Sequence, residues 1–241
     1  MGSRSPTQLI VNADDFGVSP GVNRGIVEAH ERGIVTSASL MVSGIAAAEA
    51  AQLGRSQPTL SLGLHVDLRA WHVQRRPWSR VRSEEKLKAE VANELAAQLE
   101  EFRRLTGRDP SHIDSHHHRH RVEPLPSLFA DLARELRVPL RHFAPGIRFC
   151  GDFYGQDGKG RPQPEAIAPQ ALVELLSRLP SGVTELGCHP GYADGLKAWY
   201  REERRQEIRS LCDARVRAAV DSSGISLLSF DDLEGFGCGT A

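Results

Sequence analysis

What most constrains this chain is an alternation that runs from one end to the other, short β-rich runs separated by longer helical stretches. The strand-like runs fall at residues 9–13, 37–42, 62–66, 112–115, 140–143, 185–188 and 225–230. Strands that alternate with helices pair in parallel through βαβ units, so an α/β fold around a parallel sheet of about seven strands is expected. The length of 241 residues suits a single domain over 1–241, because α/β barrels commonly occupy about 200–250 residues as one unit. No repeat, low-complexity tract or shift in composition marks an internal boundary.

The helix signals have recognisable ends. Ser19-Pro20 supplies a cap followed by proline in the first turn, and Gly33 closes the stretch 22–32 as a glycine just past the helix. Between Ser83 and Gly107, Glu84 and Glu85 occupy the first turn, and Leu87, Val91, Leu95, Leu99 and Phe102 recur at helical spacing to make one core-facing stripe. The stretch 200–220 reads as a further helix whose charge is a solvated face. Two segments lack periodicity, 69–82 and 146–168, and both are expected to be long loops after strands, where α/β folds carry their chemistry.

Charge narrows the function classes. Thirty basic residues against 31 acidic ones give a formal net charge of −1, which leaves no electrostatic argument for nucleic acid. No apolar run approaches the ~18 residues of a membrane span, and the first residues lack the apolar core of a signal peptide. Cys150, Cys188, Cys212 and Cys238 lie far apart with no Cys-x-x-Cys pair, so a zinc ribbon is excluded and a disulfide framework is not expected. A reducing cytoplasmic setting is the expectation. Assembly into a homo-oligomer stays open.

Histidine is where the composition departs from the ordinary. Of ten, five (His112, His116, His117, His118 and His120) fall within nine residues. Asn12-Ala13-Asp14-Asp15-Phe16-Gly17 ends the first strand with adjacent carboxylates, which are costly to bury unless paired or bound to a cation. The blander reading makes one a turn residue and leaves the other in water. His65 ends the third strand, the histidine run ends the fourth, and His189 in Gly187-Cys188-His189-Pro190 follows the sixth. Along a strand His112, Asp114 and His116 share one face. If the strands are parallel, all these groups meet at one mouth. Neutral imidazole is the commonest metal ligand, and two histidines with one carboxylate leave coordination positions open, as in a hydrolase or a non-haem iron oxygenase. A second carboxylate beside the ligand favours hydrolysis, which needs a general base.

Four blocks, Val11 to Gly17, the Gly-x-His of Gly63 to His65, the His-x-Asp-Ser-His-His-His of His112 to His118 and the Cys-His-Pro of Cys188 to Pro190, together resemble the YdjC-like carbohydrate deacetylases. They come in that family's order. The resemblance implies a distorted, TIM-barrel-like (β/α) barrel and metal-dependent removal of an N-acetyl group from an amino sugar or oligosaccharide. Matched by motif, Asp15, His65 and His116 are the metal ligands and Asp14 is the base; in the mechanism this suggests, His189 is the candidate to protonate or orient the departing amine. One divalent ion is implied, magnesium by the family's habit and zinc by the chemistry of imidazole ligands. Asp114 is a candidate to hold a ligand histidine, or it bonds nearby backbone. His118 and Tyr154 are candidates for the pocket wall, and His117 and His120 take no separate role. After His65 the sequence departs from many relatives: Asp67-Leu68 leads into Arg69, Arg75, Arg76, Arg80 and Arg82 with Trp71 and Trp78. Such a loop either stacks on an acidic or phosphorylated glycan or anchors itself to the barrel with its arginines in water. Two other function classes remain in view, a carbohydrate-binding protein without turnover and a 2-His-1-carboxylate iron oxygenase.

Overall fold

The computed structural model describes residues 6–68, 83–194 and 200–233. The Arg- and Trp-rich stretch at 69–82, with Trp71 and Trp78, lies outside them, as does Cys238. Seven parallel strands and seven helices alternate along the described chain. In chain order they are β1 (Thr7–Phe16), α1 (Pro20–Arg32), β2 (Ser37–Leu40), α2 (Ala47–Ser56), β3 (Ser61–Val66), α3 (Glu84–Thr106), β4 (Ile113–Ser115), α4 (Pro126–Leu136), β5 (Ile147–Cys150), α5 (Pro169–Ser177), β6 (Gly182–Cys188), α6 (Glu202–Leu211), α7 (Ala214–Ser222) and β7 (Ser226–Leu227). The sheet order is β4-β3-β2-β1-β6-β5. β7 pairs with the lower half of β1 at Gln8 and Leu9, while β2 pairs with the upper half from Asn12 to Phe16. The sheet curls into a half-barrel, the distorted barrel expected. Among the described residues its ends, β4 and β5, do not pair, and only Leu140 bridges toward β4, at Ile113.

β1 is central and buried on both faces, which is why Leu9, Ile10 and Val11 form an unbroken apolar run. Ser19 accepts the amide of Val22 at 3.2 Å and Pro20 opens α1. Gly33 does follow α1, but at φ −116° its role is close approach: a Cβ there would meet carbonyl oxygens of Ala29 and Leu211, each at 2.6 Å. The stripe of α3 is buried as spaced, each large side chain contributing about 1.5–3 kcal/mol. No helix among the described residues is long and apolar enough to cross a membrane.

Three expectations change. Residues 140–143 are not a strand: after the single bridge at Leu140 the chain turns, with His142 in the left-handed region at φ 67°. The fifth strand is Ile147–Cys150, inside the stretch expected to be loop, where Gly146 and Gly151 mask a short run that pairs with β6. The charged helix at 200–220 is two helices, with Asp213 capping the second through the amide of Arg215. Its charge is not all solvated either, since Glu203, Arg204 and Glu207 are buried.

Candidate active site

Asp14, Asp15, His65, His116, His117, His118 and His189 reach the C-terminal mouth of the half-barrel, the side on which parallel α/β folds bind ligands, while His112, Asp114 and His120 are buried beneath it. The central question is how neighbours Asp14 and Asp15 both reach it, since successive strand residues face opposite ways. The β1–β2 register breaks between Ala13 and Phe16, and Asp15 takes a left-handed φ of 67°. That irregularity lets both carboxylates line one cavity of about 570 Å³.

Each carboxylate is held by its own arginine. Arg141 donates Nη1 to Asp14 Oδ2 at 2.8 Å and Nη2 to Asp14 Oδ1 at 2.7 Å, and Asn12 Nδ2 donates to the same Oδ1 at 3.0 Å. The guanidinium also meets Asp114 Oδ2 and Glu185 Oε1, each at 2.7 Å. One buried cation thus faces three buried carboxylates. Burial works against the charge of Asp14, but Arg141 outweighs it and keeps the carboxyl below its ordinary value. Glu185 is the exception: burial lifts it to about 7 despite Arg141.

Asp15 is held differently. Its Oδ2 accepts from Arg204 Nη2, which reaches in from α6. Its Oδ1 lies 3.4 Å from His65 Nε2 and 3.2 Å from His116 Nδ1. Asp15 Oδ1 and His65 Nε2 are both buried without a hydrogen-bond partner. Burial opposes the Asp15 charge too, and Arg204 with the two imidazoles holds the carboxyl well below its usual range. His65 gives Nδ1–H to Asp114 Oδ1 at 2.7 Å, which leaves Nε2 aimed at Asp15. A carboxylate behind an imidazole fixes the tautomer of a ligating histidine in this way.

These atoms fit a divalent ion. One ligand atom from each of Asp15, His65 and His116 lies within 4.8 Å of the other two. Ligands ~2.1 Å from a common ion at tetrahedral angles stand roughly 3.4 Å apart, close to the spacings seen. Two orphaned buried polar atoms facing each other are costly unless a cation lies between them.

The other expected residues divide. His189 lies at the mouth, Nε2 at 3.9 Å from Asp14 Oδ2, and burial pushes it down to about 4. Asp114 sits behind His65 and also accepts Ser39 Oγ at 2.8 Å. His118 and Tyr154 line the cavity; Tyr154 is 39% exposed and stacks on Tyr200 with centroids 4.7 Å apart and planes 8° from parallel. Trp71 lies outside the described residues. His112, on the Asp114 face as expected, stays in the core, stacked on Phe230 at 3.8 Å with Nε2 3.0 Å from Ser39 Oγ. Gly63 makes the room, since a Cβ there would meet the His112 ring at 2.4 Å.

Sequence reasoning missed Arg141, Arg204 and Glu207. Glu207 is fully buried, accepts the backbone N–H of His189 and the Tyr200 hydroxyl, and is lifted by burial to about 8. The signals existed. A charged residue inside Leu140-Arg141-His142-Phe143 must find a buried partner. In α6, Arg204, Glu207, Ile208 and Leu211 recur at the spacing of an inward face.

A curled parallel α/β half-barrel with a carboxylate and two imidazoles at its C-terminal mouth defines a barrel-type protein with a site able to hold a metal ion. The chain belongs to the YdjC-like protein family, whose model matches residues 8–222. It is 34% identical over 257 residues to a chitooligosaccharide deacetylase of Klebsiella pneumoniae subsp. pneumoniae, covering 93% of this chain and 98% of that one. A carbohydrate deacetylase of Geobacillus stearothermophilus is 34% identical over 255 residues, covering 95% and 98%. Among solved structures, a protein of Enterococcus faecalis provisionally described as a cellobiose-phosphate cleavage protein superposes with a TM-score of 0.77 at 31% identity, covering 94% and 98%.

Proposed function

We propose that this protein is a metal-dependent hydrolase that removes the N-acetyl group of an amino sugar or oligosaccharide and releases acetate. The observation that carries the reading is the contrast between neighbours: Asp15 turns an unpartnered oxygen toward two imidazoles, while Asp14, kept ionised by Arg141, faces the same cavity. The likeness to a chitooligosaccharide deacetylase and a carbohydrate deacetylase over nearly the whole chain supports the same chemistry. Asp15, His65 and His116 would hold the ion, and two nitrogens with one carboxylate oxygen suit zinc or another transition-metal dication better than magnesium. A bound dication supplies Lewis acidity at the acetamide carbonyl.

Asp14, as a carboxylate, takes a proton from the attacking water. His189 is neutral at rest and lies beside Asp14, so it relays a proton to the departing nitrogen. Water's oxygen ends on the acyl carbon and its proton on the amine. Tyr154, backed by Tyr200, offers a flat face to a sugar ring. The free thiols of Cys150, Cys188 and Cys212 go with a reducing, cytoplasmic setting.

The test is acetate release from N-acetylglucosamine oligomers. Chelation should abolish it, and Asp14→Asn should slow it by about 10²–10⁴-fold with metal content unchanged. Full activity in Asp14→Asn would remove the base. Sugar binding by calorimetry without acetate would make the protein a binder, and oxygen uptake with ferrous iron an oxygenase.

A further inference from the structure

His118, His120 and His142 take no part in holding the ion proposed above, yet they gather beside its cavity from two segments, the turn after β4 and the loop before β5. One ring nitrogen of each lies within 4.8 Å of the other two. Ring centroids are 5.1 Å apart for His118 and His142, 5.7 Å for His120 and His142, and 6.1 Å for His118 and His120.

Two observations set this group apart from ordinary packing. His118 Nδ1 and His142 Nε2 are buried with no hydrogen-bond partner. Leaving a buried polar atom without a partner is costly, and a single cation shared by the clustered rings would satisfy both. The backbone is the second observation: His118 at φ 53° and His142 at φ 67° are both left-handed without being glycine. That conformation is uncommon and strained. Here it turns rings from separate segments toward each other.

His120 completes the group. Its Nδ1 lies 2.7 Å from Ser115 Oγ and its Nε2 3.2 Å from the carbonyl oxygen of Arg141. A ligating imidazole gives its other N–H to a neighbouring oxygen. In the ion-free ring Nε2–H donates to the Arg141 carbonyl and Nδ1 accepts from the Ser115 hydroxyl; moving that proton to Nδ1, where Ser115 Oγ can accept it, frees the Nε2 lone pair for an ion.

We propose that His118, His120 and His142 form a second metal site, for zinc or a similar transition-metal dication, sharing no ligand with Asp15, His65 and His116. An all-imidazole donor set selects against magnesium and calcium, which prefer oxygen. Three nitrogens also leave a coordination position open, and His118 lines the neighbouring cavity.

The full chain, stripped with a chelator and dialysed against zinc, is assayed for metal by mass spectrometry, with cobalt(II) absorption reporting nitrogen coordination. Two ions per chain are expected in the wild type, one in His142→Ala, one in Asp15→Asn and none in the double variant. Magnesium in place of zinc should leave the imidazole group unfilled. His142→Gln, checked by circular dichroism and thermal melting, guards against loss of metal through misfolding. A single ion in the wild type that Asp15→Asn removes overturns the second site and leaves the proposed function standing. A single ion that only His142→Ala removes does the reverse. Two ions retained in folded His142→Ala and His142→Gln also overturn the proposal.

Discussion

The mouth of the half-barrel has two halves that handle buried polar groups in opposite ways. On one side, Asp14, Asp15 and Asp114 stay charged because Arg141, Arg204 and His65 stand against them. On the other, burial pushes His120 down to about 3, His142 to about 4 and His118 below its ordinary value, so these imidazoles stay neutral. One run of sequence feeds both: His116 turns to the carboxylates, and left-handed residues at His117 and His118 send the chain to the imidazole side. The difference teaches that residue type alone does not decide a role here. What decides it is whether a countercharge is within reach. Arg141 joins the halves, with its guanidinium on three carboxylates and its carbonyl against His120.

The largest effect is therefore expected at that junction. Arg141→Met strands three buried carboxylates, and breaking a buried ion pair costs about 3–5 kcal/mol. The denaturant midpoint at neutral pH measures it. Without the arginine the carboxyls titrate higher in the folded protein than in the unfolded one. Stability is then present below the unfolded value and lost as pH rises, so the deficit should shrink toward pH ~5. An unchanged midpoint would break the picture of a charge-compensated half.

Glu207 is the acid handled in the imidazole manner, kept protonated by burial rather than paired. Its folded value of about 8 lies above the unfolded 4.5. The stability it contributes is whole below 4.5 and disappears as pH rises through about 8. Glu207→Gln cannot titrate. Relative to wild type it should gain up to about 1.4 kcal/mol per pH unit between those values, as read by urea melts at several pH values. Parallel curves would show Glu207 ionised at neutral pH.

Much of this was legible in the sequence because strand ends carry local signatures. The Asp14-Asp15 pair, His65 and the histidine run each follow a β-rich run, and parallel pairing alone brings them to one mouth. The partners of these groups were less legible. Arg141 lies 127 positions from Asp14 and Arg204 lies 189 from Asp15, so only the fold brings them together. β5 escaped because a run of four residues between glycines has too little periodicity to read. His112 was placed on the right face, but how deep a residue sits along a strand is set by register, and only the structure shows it lying under Phe230.

The finest test of the two halves is Asp114→Asn. Asp114 holds the ring of His65 at 2.7 Å and touches none of His118, His120 or His142 through a hydrogen bond or ion pair recorded among the described residues. Asparagine keeps the size of the side chain and removes the charge that raises His65 well above its ordinary value against the opposing effect of burial. Removing a group that orients a metal ligand typically weakens metal affinity by about 10–100-fold. Zinc titration should therefore show one affinity lowered by that factor and the other unchanged. Equal weakening of both would mean that the halves form one coupled site. Neither affinity moving would mean that His65 holds its place without Asp114.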